Sequence, residues 1–299
     1  MRTRTLLLSL LLAGLVGNAS AQSDDKDFGL DFSLKGQHKM LNKRMNLGLE
    51  AGFRTMDNTS KTDRVSLGAE LSYKLINKKR WGLKVEAGYS HLWVNKPAEC
   101  ETHYDYYNPV YDDGELDGYV EVEEEDFVGE DNDGIKEADG YNRTSRFWQH
   151  RDRGILSFQL SYKPKKRWSY SWTEAIQYSR YHHTYTNREK WRYNGDGDLY
   201  QKKKEWSDTV KYSKAKDRLV LRSRLGVEYN VKGIPVNIFA NGEYGCGLNY
   251  KANKLKLTGG VNYTIMKTHE IELYYRFKTE DDDEEPDGHF IGLGYTFKF

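Results

Sequence analysis

From Arg218 to Val231 the chain changes chemical character at almost every residue. Leu219, Leu221, Leu225, Val227, Tyr229 and Val231 alternate with Arg218, Arg222, Arg224, Gly226, Glu228 and Asn230. Successive side chains of a β-strand point to opposite faces, so this segment has one apolar face and one ionic face. A helical period of 3.6 would scatter both sets around the axis. The strand therefore wants a hydrocarbon surface on one side and water or counter-charge on the other.

The same alternation recurs along the chain. Phe28 to Lys39 carries it weakly, through Phe28, Leu30, Phe32 and Leu34. Arg44 to Arg54, Arg64 to Ile76 and Trp81 to Val94 carry it clearly, with glycine or charge facing away from the apolar set. It resumes at Arg153 to Lys163 and at Trp168 to Tyr181, where Glu174 falls among the apolar residues and marks an expected bulge. Val236 to Leu248, Lys254 to Ile265, Glu270 to Lys278 and His289 to Phe299 complete the series. Strands of this length separated by turn signals form a closed barrel or a sandwich.

The connections separate those two folds. One set is short and basic: Leu41-Asn42-Lys43, Asn77 to Arg80, Pro164 to Arg167, Lys232 to Pro235 and Met266 to His269. The alternate set holds the long ones, about 95–152 and 182–217 above all. Outer-membrane barrels have short periplasmic turns and long extracellular loops. Composition agrees, since 37% hydrophobic residues are few for a soluble domain, while 14% aromatic residues with 23 Tyr exclude a disordered chain. A membrane barrel needs apolar residues only at alternate positions, with aromatic girdles at the two interfaces.

At the N-terminus, Arg2 and Arg4 precede an apolar run from Leu6 to Val16 and an Ala19-Ser20-Ala21 site. This is the layout of a cleaved signal peptide over residues 1–21. Gln22 then opens the mature chain, and residues 22–299 are expected to form one barrel domain. The fold expected is an all-β, transmembrane, antiparallel up-and-down barrel of about ten to twelve strands in the outer membrane. Its C-terminus lies in the periplasm and its long loops are extracellular. Eleven strands conflict with the even counts of bacterial barrels. The expectation is therefore that segment 26–39 lies partly outside the wall, or that a long loop hides one more strand.

The closing residues Tyr295-Thr296-Phe297-Lys298-Phe299 resemble the C-terminal strand of bacterial outer-membrane barrels. That likeness implies recognition of the strand ending in Phe299 by the barrel assembly machinery. Further motifs are Asp27-Phe28-Gly29-Leu30, Leu67-Gly68-Ala69-Glu70-Leu71-Ser72-Tyr73-Lys74-Leu75, Arg224 to Tyr229 and Glu272 to Arg276. Through them the chain resembles the domain of unknown function 2490 family, predicted outer-membrane proteins of Bacteroides-type Gram-negative bacteria. The resemblance implies a β-barrel and no assigned activity.

The ionic faces define the candidate site. Glu50, Arg54, Glu70, Lys74, Lys84, Glu86, Arg218, Arg222, Arg224, Glu228, Lys256, Glu272 and Arg276 are expected to line the lumen. An Arg or Lys turned to mid-bilayer would cost about 2–4 kcal/mol, which enforces the parity. Two interiors satisfy the pattern. One is a polar pore whose Arg222, Arg224, Arg276 and Lys256 favour anionic solutes. The other is a narrow lumen filled with ion pairs, favoured by the near balance of signs in a barrel this small.

The loop from Ala98 to Gly140 holds seventeen Asp or Glu against the single Lys136, so it is expected to be a solvated, mobile surface loop. A Ca²⁺ site at Glu130 to Gly134 fits the EF-hand register only in part. Loop 182–217 is basic and suits either the acidic loop or lipopolysaccharide phosphate. His150 with Asp152, and His182 and His183 near Ser179, are the only catalytic candidates, and an enzyme is the least favoured class. Net charge of +1 gives no support for nucleic-acid binding. No cofactor or metal is expected, and the barrel is read as a monomer in contact with outer-membrane lipid. The leading function is a porin-like channel or transporter for small polar solutes. The competing one is a non-conducting surface protein that binds a partner or lipid through its charged loops. Cys100 and Cys246 are too few for a disulfide scaffold.

Overall fold

The computed structural model describes residues 27–112, 115–194, 196–250, 253–280 and 287–299. The expected signal peptide, residues 1–21, and Gln22 lie outside them. In chain order the strands are β1 (Asp27–Met40), β2 (Met45–Met56), β3 (Lys61–Asn77), β4 (Trp81–Lys96), β5 (Glu99–Asp112), β6 (Glu115–Val122) and β7 (Ile135–Thr144). There follow β8 (Phe147–Tyr162), β9 (Trp168–Tyr181), β10 (Thr184–Tyr193), β11 (Leu199–Lys202) and β12 (Val210–Ser213). The last five are β13 (Lys216–Asn230), β14 (Val236–Gly247), β15 (Asn253–Ile265), β16 (His269–Glu280) and β17 (Gly288–Lys298).

Eleven of these close into a barrel in the order β1-β17-β16-β15-β14-β13-β9-β8-β4-β3-β2. The closure corrects two expectations. From Asp27 on, the segment expected partly outside the wall is in it: β1 pairs with β17 from Asp27, and with β2 from Asp31 opposite Arg54 to Met40 opposite Met45. Among the described residues, no extra wall strand comes from the long loops. An up-and-down path of eleven strands brings the last one back in the direction of the first. Only a parallel seam can then close the ring, and β1 and β17 form it, from Asp27 beside Gly288 to Gln37 beside Lys298. Closure leaves no unpaired strand edge, the condition any barrel must meet. The amide of Phe299 extends the seam by donating to the Gln37 carbonyl at 2.9 Å.

The expected bulge at Glu174 is absent. Register runs unbroken through it, with Glu174 opposite Ser223 on β13 and Phe158 on β8. Glu174 therefore does face outward among Trp172, Ile176 and Phe158. It is satisfied there by hydrogen bonds from Trp172 Nε1 (2.7 Å) and from Ser223 Oγ. Register does shift at Arg54/Thr55 and at Lys74/Ile76, near strand ends.

The outer face is apolar and exposed, as at Leu49, Leu67, Leu156, Phe158, Leu225, Leu257 and Leu293. Aromatic pairs mark its short-turn end, with Trp81 on Tyr162 at 4.4 Å and Trp168 on Tyr229 at 4.8 Å between ring centroids.

Residues Lys96–Trp148 and His183–Ala215 form a second compact unit. Here the expectation of a mobile loop is corrected. The two excursions share one sheet in the order β11-β10-β7-β5-β6, with β12 pairing β10. Opposite charges from the two segments meet in it. Arg192 Nε lies 3.2 Å from Asp139 Oδ2, and Lys211 Nζ lies 3.7 Å from Glu99 Oε2. Gly140, at φ +147°, lets β7 and β10 approach closely, since a Cβ there would lie 2.0 Å from the Trp191 carbonyl oxygen. The partial calcium motif is spent locally, with Asn132 Nδ2 donating to the Val128 carbonyl and Asp133 accepting from the Tyr111 hydroxyl. Cys100 and Cys246 are free thiols.

Candidate functional site in the barrel interior

Alternation turns one ionic face of each wall strand inward, and the register decides which charges meet. Along the β1–β2–β16 arc, Asp31 Oδ2 accepts from Arg54 Nη2 at 3.1 Å and from Arg276 Nη1 at 2.6 Å. The two guanidinium groups lie 4.7 Å from the ring centroids of Phe290 and Tyr274 respectively. Gly292 makes room for Tyr274, since a Cβ there would fall 1.9 Å from its ring. Nearby, Lys35 Nζ bridges Glu70 at 2.6 Å and Glu50 at 3.8 Å.

These groups surround a cavity of about 490 Å³. Of the expected lumen residues, Glu50, Arg54, Glu70, Glu86, Glu272 and Arg276 line it, together with Asp31, Lys35, Arg64, Arg153 and Tyr274. A second cavity, about 440 Å³, is bordered by Lys74, Lys84, the turn residues Lys78, Lys79 and Arg80, and Lys163. Beside it, Lys84 Nζ reaches Glu86 at 2.7 Å.

Across the wall, Glu243 gathers the basic ladder. Its carboxylate takes Arg222 Nη2 at 2.6 Å and Lys256 Nζ at 2.7 Å, with Arg224 Nε at 3.9 Å. Arg222 Nη1 also donates to Gln177 at 2.8 Å. Arg218 lies 4.3 Å over the Tyr250 ring and 5.2 Å over Tyr181. Glu228 lies between Ser169 and Phe239 in register, on the same face as Arg222 and Arg224. At the end of β15 and β16 away from their turn, Glu280 receives Lys254 and Lys278, and at the turn end Glu270 of β16 receives Lys298 of β17.

The interior is thus a network of short ion pairs around discrete cavities. Sequence reasoning passed over Asp31, Lys35, Tyr274 and Phe290. The first two were legible as the alternates of Leu30, Phe32 and Leu34. The aromatic pair was not, because both occupy positions on an otherwise polar face.

The catalytic candidates divide. Ser179 faces inward, where Gln177 Nε2 donates to it at 3.2 Å, so it does not join His182. Asp152, His150 and His182 do meet, on the outer face, and His91 of β4 joins them. In the second unit, His103, Asp105 and Asp139 offer ligand atoms within 4.8 Å of one another. Arg192 already supplies positive charge to Asp139 there. Burial, and then the Arg192 guanidinium, hold His103 below the ordinary imidazole value; burial, and then Asp105, push Asp139 up.

No family model and no curated protein matches the chain. Among solved structures it is similar to the CymD monoaromatic hydrocarbon channel. The identity is 11% and the TM-score 0.30, over 85% of this chain and 82% of that one.

Proposed function

We propose that this protein is an integral outer-membrane β-barrel, and a porin-like channel for small polar solutes that favours anions. Its resemblance to the domain of unknown function 2490 family is part of that reading. The observation that carries it is the division of the wall. The exposed apolar residues sit on one face, while a 490 Å³ cavity on the other is lined by Glu50, Arg54, Glu70 and Arg276. A soluble barrel would bury its apolar face and expose its charges. Hydrocarbon outside and an ionic interior reverse that arrangement. The long connections then face outward from the cell. The strand ending in Phe299 ends in the periplasm, where the assembly machinery would read it.

Cationic side chains favour anions wherever they face a water-filled path. Lys74, Lys78, Lys79, Arg80 and Lys163 around the second cavity supply such a path at the short-turn end. The Asp31 clamp on Arg54 and Arg276 narrows the way past the first cavity. Purified protein reconstituted in a planar bilayer should give small stepwise currents, with a reversal potential displaced toward the chloride potential in a KCl gradient. Asp31→Asn should raise the step size by loosening Arg276, while Arg54 keeps Asp63 at 4.0 Å. The absence of steps after verified insertion would sink the channel reading.

A second reading has its own observation. The unit formed by Lys96–Trp148 and His183–Ala215 is a folded sheet rather than a loop, as a docking module for a partner or lipid requires. Excision of that unit separates the readings, since conduction belongs to the wall and docking to the sheet.

A further inference from the structure

We propose that the outer face of the barrel carries a histidine site for a divalent transition metal, built on His91 and His150 and oriented by Asp152. The site belongs to the barrel unit alone and does not depend on conduction.

The argument begins with one carboxylate. Asp152 Oδ1 accepts from the Tyr89 hydroxyl at 2.6 Å and lies 2.7 Å from His91 Nδ1. Its Oδ2 lies 2.7 Å from His182 Nε2. An ionised carboxylate only accepts, so the proton of a neutral His91 is assigned to Nδ1. That leaves a lone pair on Nε2. This nitrogen accepts from His150 Nδ1 at 3.2 Å, and a metal would take the place of the proton between them. Two ring nitrogens bound tetrahedrally to Zn²⁺ at about 2.0–2.1 Å lie about 3.3 Å apart. The two histidines therefore already stand at the separation of two ligands on one metal.

The surroundings fit the same chemistry. A ligating histidine usually gives its other ring N–H to a carboxylate, which fixes the tautomer and the ring. Asp152 does this for His91. The His182 ring, 6.3 Å from the His91 ring, is held by the same carboxylate next to the site. Trp93 packs edge-on against His91 with ring centroids 4.5 Å apart. An aromatic girdle needs only Tyr and Trp; an Asp held between two imidazoles, with a third against one of them, is not explained by it. Leu67 lies opposite His91 and Val65 opposite Trp93, so the polar cluster interrupts an apolar surface.

Other ligands suit the cluster less well. Phosphate would meet the Asp152 carboxylate at its centre. Acyl or phosphoryl transfer would need a nucleophile, and the hydroxyl at hand, Tyr89, is spent on Asp152. Imidazole donors with water completing the shell suit Zn²⁺, Ni²⁺ and Cu²⁺.

The test uses full-length protein in detergent, without a polyhistidine tag and stripped by chelator. Zn²⁺ titrated by calorimetry should bind once per chain near pH 7.5. Asp152→Asn should weaken binding by about 10–100-fold. His91→Gln and His150→Gln should each abolish it, while His103→Ala should leave it unchanged. Heat-dependent electrophoretic mobility checks that each variant is folded, and His150→Ala, at an exposed position, is the second variant if one fails. No stoichiometric binding by the parent protein would overturn the proposal. So would binding that survives both glutamine substitutions or is lost in His103→Ala.

Discussion

Glu243 and Glu50 show how differently two lumen carboxylates are engaged. Glu243 is nearly buried, 7% exposed, and holds Arg222 and Lys256 at 2.6 and 2.7 Å. Its removal leaves two cations without their counter-charge. Glu243→Ala should therefore destabilise the barrel by about 3–5 kcal/mol, read as a shifted urea midpoint in micelles. Glu50 meets Lys35 at 3.8 Å with its side chain 49% exposed. Solvent screening leaves such a pair little to contribute, and Glu50→Ala should cost less than about 1 kcal/mol in the same experiment.

A pH dependence belongs to Asp208, in the second unit. The Lys190 ammonium, and then the Glu205 and Lys204 amides, hold its carboxyl at about 2 against an ordinary value of 3.8. A carboxyl depressed on folding stabilises the fold above the unfolded value. That contribution fades as the pH falls from 3.8 toward 2. Protection of the Lys204 and Glu205 amides against hydrogen exchange, relative to their intrinsic rates, should fall across that window. In Asp208→Asn that pH-dependent fall should be absent.

At the scale of elements the seam decides the barrel. Ser33 pairs with Gly294 and Gln37 with Lys298, so both partners advance together along β1 and β17. In a background lacking Cys100 and Cys246, the pairs Ser33→Cys with Gly294→Cys and Gln37→Cys with Lys298→Cys should each cross-link under mild oxidation. An antiparallel seam would allow one pair at most. Deletion of residues 27–40 should leave β2 and β17 with open edges and yield protein that fails to assemble.

The strand faces were readable because side-chain parity is local: Leu225 and Arg224 part company whatever the neighbouring strand does. Glu174 was read on the correct face and given the wrong cause. No bulge is needed, because Ser223 and Trp172 satisfy the carboxylate where it stands. The role of β1 was not readable, since a first strand is in or out of a wall according to the partner it finds, and that partner lies about 260 residues away in β17.

At the scale of the whole chain there are two folded units, a barrel and a smaller sheet. β4 and β8 are neighbours in the barrel, and so are β9 and β13. Each half of the second unit therefore joins strands that already lie side by side. Replacing residues 97–147 and 184–214 by short hairpin turns should leave a barrel that folds and shifts on heating in electrophoresis. Loss of assembly would show that the excursion is part of the barrel's own stability.

Two-faced strands, their lengths and the alternation of short basic turns with long connections follow from the amino-acid order alone. Each reflects geometry within a few residues, and together they specify a barrel with an ionic interior. The parallel seam, the grouping of Arg222, Lys256 and Glu243, the folding of an acidic segment onto a basic one, and the meeting of His91 with His150 do not. Those depend on strand order and register, which bring residues dozens to hundreds of positions apart within a few ångströms, and no local pattern encodes such distances.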